Sequence, residues 1–375
     1  MRVVFVLGTT SGGTGRHVLM LAEGLVRRGH QVVVAAPAAV GEAFGFGAAG
    51  ARFVPVAVSD RPHPARDLAA VAAIRRITRE ADVVHAHGLR AGALAVLAGL
   101  GRSRSRRRSA RSVRTSATGK AARPVLVVTL HNALTAGGFV GAVYGVLERI
   151  VARGADRVLV VSPDLGERMT ALGAGDVRPA VVPAPVPRPP SRNAAQVREE
   201  LGAGERPVVL TVARLAQQKG LEFLLDVAAG PWGAREPMFA IAGEGPLKRE
   251  LQERIEKEKL PVWLLGNRDD VPDLLAAADV VFWPSRWEGQ PLSLSEALMA
   301  GRPVVATEVG GIPDLLGGAG TLVPYGDVGA ARAAVRALLD EPGAAQRQAR
   351  AAAERGAALP RDDDAVAAVL GVYNV

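Results

Sequence analysis

The sequence predicts an α/β protein made of two doubly wound, Rossmann-like domains. Short β-branched runs such as Val3–Leu7 end in glycine, and each is followed by a stretch of helical length. This strand–loop–helix pattern repeats along the first half, stops at a proline-rich segment and then starts again. The length of 375 residues agrees, because about 150 residues per domain gives two to three domains.

The first half contains the repeating elements of a parallel sheet. Runs rich in valine and leucine predict strands that are buried on both faces. Strands are predicted at Val3–Leu7, Gln31–Ala35, Val83–His85, Val125–Leu130 and Arg157–Val161, and helices at His17–Arg28, Leu89–Leu100 and Phe139–Arg153.

The second half repeats the pattern after a linker. Five prolines within Pro183–Pro190 predict a stiff, extended segment. We therefore divide the chain into a first domain at 1–187, a linker at 188–206 and a second domain at 207–359, and we expect ligands in a cleft at the carboxyl ends of both sheets. Strands are predicted at Pro207–Val212, Phe239–Ala242, Val262–Leu265, Val280–Trp283 and Pro303–Ala306.

The positive charge of the chain is concentrated in one segment. The net charge is +9, which is typical of proteins that bind nucleic acid or anionic membranes. Residues 101–123 contain eight arginines, one lysine and no acidic residue, so the remainder sums to zero. We interpret this segment as a disordered insert. Together with Arg75, Arg76 and Arg79, the insert could bind weakly to an anionic membrane. We expect no specific nucleic-acid partner.

Composition excludes several kinds of site. The chain has no cysteine, so disulfides, thiolate zinc sites and a cysteine nucleophile are ruled out. The amino-terminal apolar run is too short for a secretory signal, and no uncharged apolar run approaches about 18 residues. We expect a cytoplasmic protein, with peripheral binding to the inner face of the membrane as the alternative.

The first half has two groups of residues that suit ligand binding. Gly12 and Gly13 open a glycine-rich loop at a predicted helix start, where free backbone amides can face a phosphate. His85 and His87 end a strand and point to one face, and His131 follows the next strand. A metal site would need a third ligand, which the local sequence does not supply. A tight turn and structural histidines remain the simpler interpretations.

The second half has charged residues in loops after predicted strands. Arg214 and Lys219 are five residues apart, and two such cations can hold a diphosphate. Glu288 and Glu296 can accept hydrogen bonds from vicinal hydroxyls. Between them, the amides of Gln290 and Leu292 lie at a predicted helix start. An ordinary exposed loop is the alternative interpretation of the two cations.

These motifs together resemble a known family. The segments SGGTGRH, HAHG and TLHN in the first half, and ARLAQQKG, IAGEGPLKREL and RWEGQPLSLSEALMAGRPVVATEVGGIPDLL in the second, are similar to those of retaining glycosyltransferases of family 4 with the GT-B fold. The resemblance covers nearly the whole chain. Two departures are the sequence VVPAPV, where the family has an Asn-Gly pair after the proline, and the 101–123 insert.

The resemblance implies roles for residues of the second half. Arg214 and Lys219 would bind the diphosphate of a nucleotide-sugar donor, UDP- or GDP-linked. Glu296 would bind the donor ribose, and Glu288 would contact the hydroxyls of the transferred sugar. The segments Gly243–Pro246 and 267–270 would flank the nucleoside, with Gly243 and Arg268 as contacts.

In the first half, the resemblance implies that Gly12 and Gly13 cover the phosphates and that His87 lies beside the anomeric carbon. The last helix, at about 360–375, would cross back onto the first domain. No metal or other cofactor is expected, because arginine and lysine replace a divalent ion. His87, Glu288, Arg214 and Lys219 are the expected catalytic residues.

Three functions remain open from the sequence. The first is transfer of a sugar, with retained configuration, to an acceptor that is a cell-envelope lipid, a glycan or a small metabolite. The second is 2-epimerisation of a nucleotide sugar on the same fold. The third is polyanion or membrane binding through the arginine-rich insert.

Overall fold

The computed structural model describes residues 1–10, 12–59, 63–100, 123–132, 138–186, 188–233 and 235–373. The chain divides into two compact units, one of Met1–Pro183 with Arg361–Val375 and one of Ala184–Pro360. Residues 101–122 of the predicted basic insert lie outside the described residues. Arg75, Arg76 and Arg79, considered with that insert for membrane docking, are exposed.

The first unit is built on a parallel sheet. Val3 of the first strand lies between Val32 and Val83 of the two neighbouring strands. The first strand is therefore central, and later strands add to the sheet on both sides of it. Within the described residues the sheet has seven strands, in the order β3-β2-β1-β4-β5-β6-β7. They are β1 (Arg2–Leu7), β2 (Gln31–Ala36), β3 (Arg52–Pro55), β4 (Val83–His87), β5 (Val125–Leu130), β6 (Arg157–Val160) and β7 (Val177–Pro179).

Helices alternate with these strands. The first begins at Gly13, four residues earlier than predicted from periodicity, because glycines at its start hide the apolar pattern. Gly15 is required there, since a Cβ atom would lie 2.2 Å from the ring of Phe44. The helices are α1 (Gly13–Arg27), α2 (Ala38–Phe44), α3 (Pro64–Ile77), α4 (Leu89–Gly99), α5 (Gly138–Gly154) and α6 (Pro163–Ala171).

The second unit repeats the architecture. Val209 lies between Phe239 and Val280, again with parallel neighbours on both sides. Six strands within the described residues have the order β10-β9-β8-β11-β12-β13. They are β8 (Val208–Val212), β9 (Met238–Ala242), β10 (Val262–Gly266), β11 (Val280–Trp283), β12 (Val304–Thr307) and β13 (Thr321–Val323).

Eight helices of the second unit are described. The first lies inside the predicted linker 188–206, where Asn193 and Gln196 form a reciprocal capping box that starts it. Helix-forming residues after that cap replace the expected extended chain. The helices are α7 (Ala194–Glu200), α8 (Leu221–Ala228), α9 (Lys248–Glu258), α10 (Val271–Ala277), α11 (Leu292–Met299), α12 (Ile312–Leu316), α13 (Val328–Asp340) and α14 (Ala344–Ala357).

The last helix, α15 (Asp362–Tyr373), belongs to the first unit although the second unit precedes it. It packs on α1, where Gly24 leaves room for Val366 at a point that a Cβ atom would occupy. Arg28 and Asp363 form an ion pair of 2.9 Å across the same contact. None of the described helices is long and apolar enough to cross a lipid bilayer.

Candidate active site

The loop after β8 presents two cations of different status. Arg214 is exposed and forms no ion pair within the described part of the chain. Lys219 ends a single 3-10 turn, Gln217–Lys219, and is half-buried. A guanidinium with no acidic partner stays free to bind an anion. The loop therefore offers one free cation and one that is already engaged.

Close backbone contacts fix this loop in place. Gly243 follows β9 with a φ of +148°, and a Cβ atom there would lie 2.0 Å from the carbonyl oxygen of Ala213. A Cβ atom on Gly245 would lie 2.4 Å from the carbonyl oxygen of Leu215. Only glycine permits both approaches. The two glycines of the GEG sequence hold the peptides on either side of Arg214.

Lys219 is paired with the first glutamate of the motif. Its Nζ lies 2.5 Å from Oε1 of Glu288, and the Ser285 hydroxyl donates to the same oxygen at 2.7 Å. Glu288 is 5% exposed. A buried carboxylate is stable only when paired and hydrogen-bonded, and both conditions are met here. Both of these bonds end on Oε1, so neither group contacts the other oxygen, Oε2.

The GGIPD segment holds the backbone of Glu288. The amide of Gly311 donates to the Glu288 carbonyl at 3.0 Å. Gly310 has a φ of +54°, and a Cβ atom there would lie 1.9 Å from the same carbonyl oxygen. Because a side chain at Gly310 would displace Glu288, this segment positions the carboxylate that Lys219 contacts.

The second glutamate lies in α11. Leu292 is its first residue, so its amide and that of Gln290 lie at the start of the helix, where amides lack intrahelical acceptors. Glu296 is half-buried and lines a cavity of 460 Å³ within the second unit. Arg188 and Arg302 line the same cavity. Glu296 therefore lies in a basic environment rather than a purely apolar one.

Arg268 is already engaged within the second unit. It makes two bonds to Asp270, of 2.7 and 2.6 Å, and pairs with Glu200 at 2.9 Å. These carboxylates raise the pKa of Arg268 and hold it in place. Arg268 can therefore support the neighbouring backbone, but it contacts a donor only by giving up part of this network.

The first unit gathers imidazoles at the carboxyl end of its central strands. His87 is the last residue of β4, and its Nδ1 lies 3.0 Å from Nε2 of His131. The rings stack at 5.3 Å. Nε2 of His87 is buried without a hydrogen-bond partner among the described residues. A buried polar atom without a partner is costly, so this nitrogen is a candidate for contact with a ligand.

Two further histidines complete the cluster. His17 of α1 lies 5.8 Å, ring to ring, from His87, and its buried Nδ1 also lacks a partner among the described residues. His85 is fully buried, 4.2 Å from the His87 ring. Burial lowers the pKa of His17 to about 4 and that of His131 to about 3, and it lowers the pKa values of His85 and His87 well below their usual range.

The four rings are therefore neutral near pH 7. Their nitrogens bond to one another and to hydroxyl groups. Among the residues the structure describes, no three His, Asp or Glu side chains are arranged so that they could hold a metal ion.

His87 and His131 line a cavity of 340 Å³ within the first unit. Its charged residues are neutralised in pairs. Glu148 accepts two bonds from Arg168, of 2.7 and 2.5 Å, and Arg90 donates to Asp67 at 2.7 Å. The remaining polar lining consists of hydroxyl and amide groups, namely Thr9, Thr10, Thr14, Asn132 and Tyr144.

Gly12 and Gly13 lie beside this region at the start of α1. Gly12 is the residue before the helix, no side chain caps the first turn, and a Cβ atom on Gly12 would meet nothing within 4 Å. The first amides of α1 are thus available, as a phosphate-facing loop requires. Glu148 and Tyr144 of α5 and His17 of α1 were not among the predicted site residues, because only the packing of these helices brings them to the strand ends.

Comparison with known proteins defines the class. The family model for the glycosyl transferase 4-like domain matches residues 12–185. The family model for glycosyl transferases group 1 matches residues 206–341. The fold is the α/β GT-B fold, which confirms the predicted fold class. The chain belongs to the group 1 glycosyl transferases, in agreement with the resemblance seen in the sequence.

Solved structures share this fold over nearly the full chain. The Anabaena protein HepE in complex with UDP has a TM-score of 0.79 at 21% identity, with 99% of each chain covered. Sucrose-phosphate synthase from Thermosynechococcus elongatus has a TM-score of 0.74 at 19% identity, covering 100% of this chain and 98% of that one.

Curated relatives match over shorter stretches. Alpha-D-kanosaminyltransferase of Streptomyces kanamyceticus is 31% identical over 186 residues, which is 48% of either chain. The 2-deoxystreptamine N-acetyl-D-glucosaminyltransferase of Streptomyces fradiae is 36% identical over 198 residues, 49% of this chain and 43% of its own length. The chain thus spans about half the length of these relatives.

Proposed function

We propose that this chain is a retaining glycosyltransferase that moves a sugar from a UDP- or GDP-linked donor to a small, uncharged acceptor rich in hydroxyl groups. The observation that carries the proposal is the second-unit loop, in which Arg214 has no ion-pair partner in the described part of the chain and Lys219 lies against Glu288. In a group 1 glycosyl transferase, this pattern suits a diphosphate and the hydroxyls of its sugar.

The donor is assigned to the second unit. Arg214 and Lys219 neutralise the diphosphate, and Glu288 accepts hydrogen bonds from the transferred sugar. Glu296 accepts from the ribose hydroxyls. The relatives support both nucleotides: HepE was solved with UDP and with UDP-glucose, and a Mycolicibacterium smegmatis relative, 34% identical over 171 residues, is named as GDP-mannose-dependent.

The reaction exchanges one bond at the anomeric carbon for another on the same face. The bond to the diphosphate oxygen breaks, the acceptor oxygen bonds to the anomeric carbon, and the acceptor proton passes to the departing phosphate. Charge grows on the diphosphate in the transition state, so Arg214 and Lys219 stabilise it more than the ground state. These two cations take the place of a divalent ion in the proposal.

The acceptor is assigned to the cavity of the first unit. Arg90 and Glu148 on its lining are each neutralised, which leaves neutral imidazoles, hydroxyls and an amide as its remaining polar groups. Such groups favour an uncharged polyol over a phospholipid headgroup, whose phosphate would need an unpaired cation. The cavity volume of 340 Å³ suits a ligand of one or two sugar rings.

A thermal-shift panel of UDP-, GDP- and ADP-sugars tests the donor assignment. A donor at 100 times its Kd stabilises the folded state by about 2.7 kcal/mol, which raises the midpoint by several degrees. Lys219→Ala should abolish the shift, whereas Lys257→Ala, a change at an exposed lysine of α9, should keep it. No shift with any nucleotide sugar, or an equal shift in Lys219→Ala, would contradict the proposal.

A transfer assay tests the acceptor. Glucose and myo-inositol are compared with glucose 1-phosphate and with vesicles that contain phosphatidylglycerol. We expect product with the neutral polyols and retained anomeric configuration. Product only with the vesicles would overturn the acceptor class, and isomerised donor without acceptor would indicate an epimerase.

A further inference from the structure

Tyr373, at the end of α15, reaches the histidine cluster from the far end of the chain. Its side chain is buried, and its Oη lies 2.6 Å from Nδ1 of His85. The two rings meet edge to face at 88°, with centroids 5.7 Å apart. The residues are 288 positions apart in sequence. The last turn of the chain thus contacts the strand that carries His87.

His85 has both ring nitrogens occupied. Nε2 lies 2.7 Å from Oγ1 of Thr129 on β5, opposite the bond to Tyr373. Two bonds on opposite sides of the imidazole fix its rotation. His85 is 0% exposed and has no route to a ligand through solvent. Its partners therefore serve to hold the ring rather than to bind substrate.

The held ring lies directly against His87. The centroids of His85 and His87 are 4.2 Å apart, and His87 lines the cavity while His85 does not. His87 is also held by the 3.0 Å bond from its Nδ1 to His131 and by ring contacts with Phe5 and His17. A rotation of His85 would therefore move the free Nε2 of His87.

We propose that Tyr373 is a positioning residue for the acceptor site, acting through His85 on His87, which rests on the function proposed above. The phenol donates to Nδ1 of His85, and Nε2–H donates to Thr129. Burial supports these protonation states, because it raises the pKa of Tyr373 and lowers that of His85. The hydroxyl of Tyr373 thereby holds the ring that lies against His87.

The contacts that dock α15 are separate from this relay. Val366 packs where Gly24 leaves room, and Arg28 pairs with Asp363. Neither contact involves His85. A variant at Val366 can therefore weaken the docking of the helix while the Tyr373 hydroxyl is retained, which makes it a matched control.

The test compares Tyr373→Phe with Val366→Ala in the full chain. Histidine side chains labelled with ¹⁵N report the tautomer and environment of each ring by NMR. Tyr373→Phe should shift the signals of both His85 and His87 and lower kcat for nucleotide release from UDP-glucose or GDP-mannose roughly tenfold, with KM for the donor unchanged. Val366→Ala should lower the thermal midpoint and leave the His87 signals and kcat alone.

Thr129 provides a second arm on the same relay. Thr129→Val removes the other partner of His85 and should reproduce the shift of the His87 signals, whereas Thr129→Ser keeps a hydroxyl and should restore it. If Tyr373→Phe and Thr129→Val both leave His87 unchanged, the relay is refuted. Absence of turnover in the wild-type chain would instead refute the proposed function, and the NMR comparison would still decide the relay.

Discussion

All six histidines of the chain lie in the first unit and all four tryptophans lie in the second, and the two candidate sites differ as clearly. The first-unit cavity is lined by neutral imidazoles, hydroxyls and charges that are already paired. The second-unit site has an arginine that forms no ion pair among the described residues, and a half-buried lysine paired with a buried glutamate.

The two sites suit different ligands. A diphosphate should bind most tightly beside Arg214 and Lys219, because these cations neutralise its negative charge. A neutral polyol should bind most tightly in the first unit, because it can form hydrogen bonds there without removing water from an unpaired charge. The ranking of four substitutions and conditions tests this division.

The largest effect is expected at Lys219. Lys219→Ala removes a cation from the diphosphate and should lower kcat/KM roughly 100- to 1,000-fold. It also leaves Glu288 buried without its cation, which should cost about 3–5 kcal/mol of the free energy of unfolding. Steady-state kinetics and urea unfolding measure the two losses.

The double variant Lys219→Met with Glu288→Gln separates these effects. Removing both charges should restore most of the stability, since no buried charge is left unpaired, while activity stays low. Recovery of activity together with stability would show that the pair is structural only.

The second expected effect is a difference in acid sensitivity. His17 has a pKa near 4 in the folded chain and about 6.5 when exposed. The unfolded state then binds more protons, so the first unit is fully stabilised above pH 6.5 and loses stability as the pH falls towards 4. His17 alone accounts for about 3 kcal/mol across this range.

The second unit should respond at lower pH. It has no histidine, and its perturbed carboxylates, such as Glu200 and Asp270, have lowered pKa values. Their contribution is present above their ordinary pKa values and is lost only below about pH 4.5. Hydrogen exchange should show β4 and β5 opening between pH 6.5 and 4.5 while β8 and β9 remain protected. If both units lost protection over the same pH range, the expected difference in acid sensitivity would be wrong.

A smaller effect is expected at Gly310. Gly310→Ala places a Cβ atom against the Glu288 carbonyl and should raise the donor KM about tenfold. Gly326 also has a positive φ, +86°, but a Cβ atom there meets nothing within 4 Å. Gly326→Ala should cost only backbone strain of about 1 kcal/mol and leave the donor KM unchanged. Equal donor KM values for the two variants would show that Glu288 does not contribute to donor binding.

The smallest effect is expected in the first-unit cavity. Glu148→Gln keeps the shape of the lining but removes the carboxylate, so the KM for a neutral acceptor should rise a few-fold with donor affinity unchanged. Glu167→Gln, at an exposed carboxylate next to Arg168, is the control. A changed donor affinity in Glu148→Gln would place this carboxylate on the donor side instead.

Much of the fold was predictable because central parallel strands are buried on both faces. The predictions of Val125–Leu130 and Val280–Trp283 agree with the observed strand limits. Short edge strands were missed: Arg52–Pro55 has no buried residue and Val177–Pro179 spans only three residues, so neither shows an apolar run.

The site was predictable only in part. Motif residues such as Lys219 and Glu288 could be identified, and the structure brings these two together. Their direct pairing was not expected, since they are 69 residues apart. Tyr373 could not be found from spacing, because its contact with His85 depends on where the last helix packs. Local patterns carry no information on such long-range contacts.

Hydrogen exchange in the presence of UDP alone shows which of the two units binds the diphosphate. We expect protection of the peptides that contain Arg214, Lys219 and the start of α11, and loss of that protection in Lys219→Ala. Protection confined to the ends of β4 and β5 in the first unit, or protection unaffected by Lys219→Ala, would contradict this expectation.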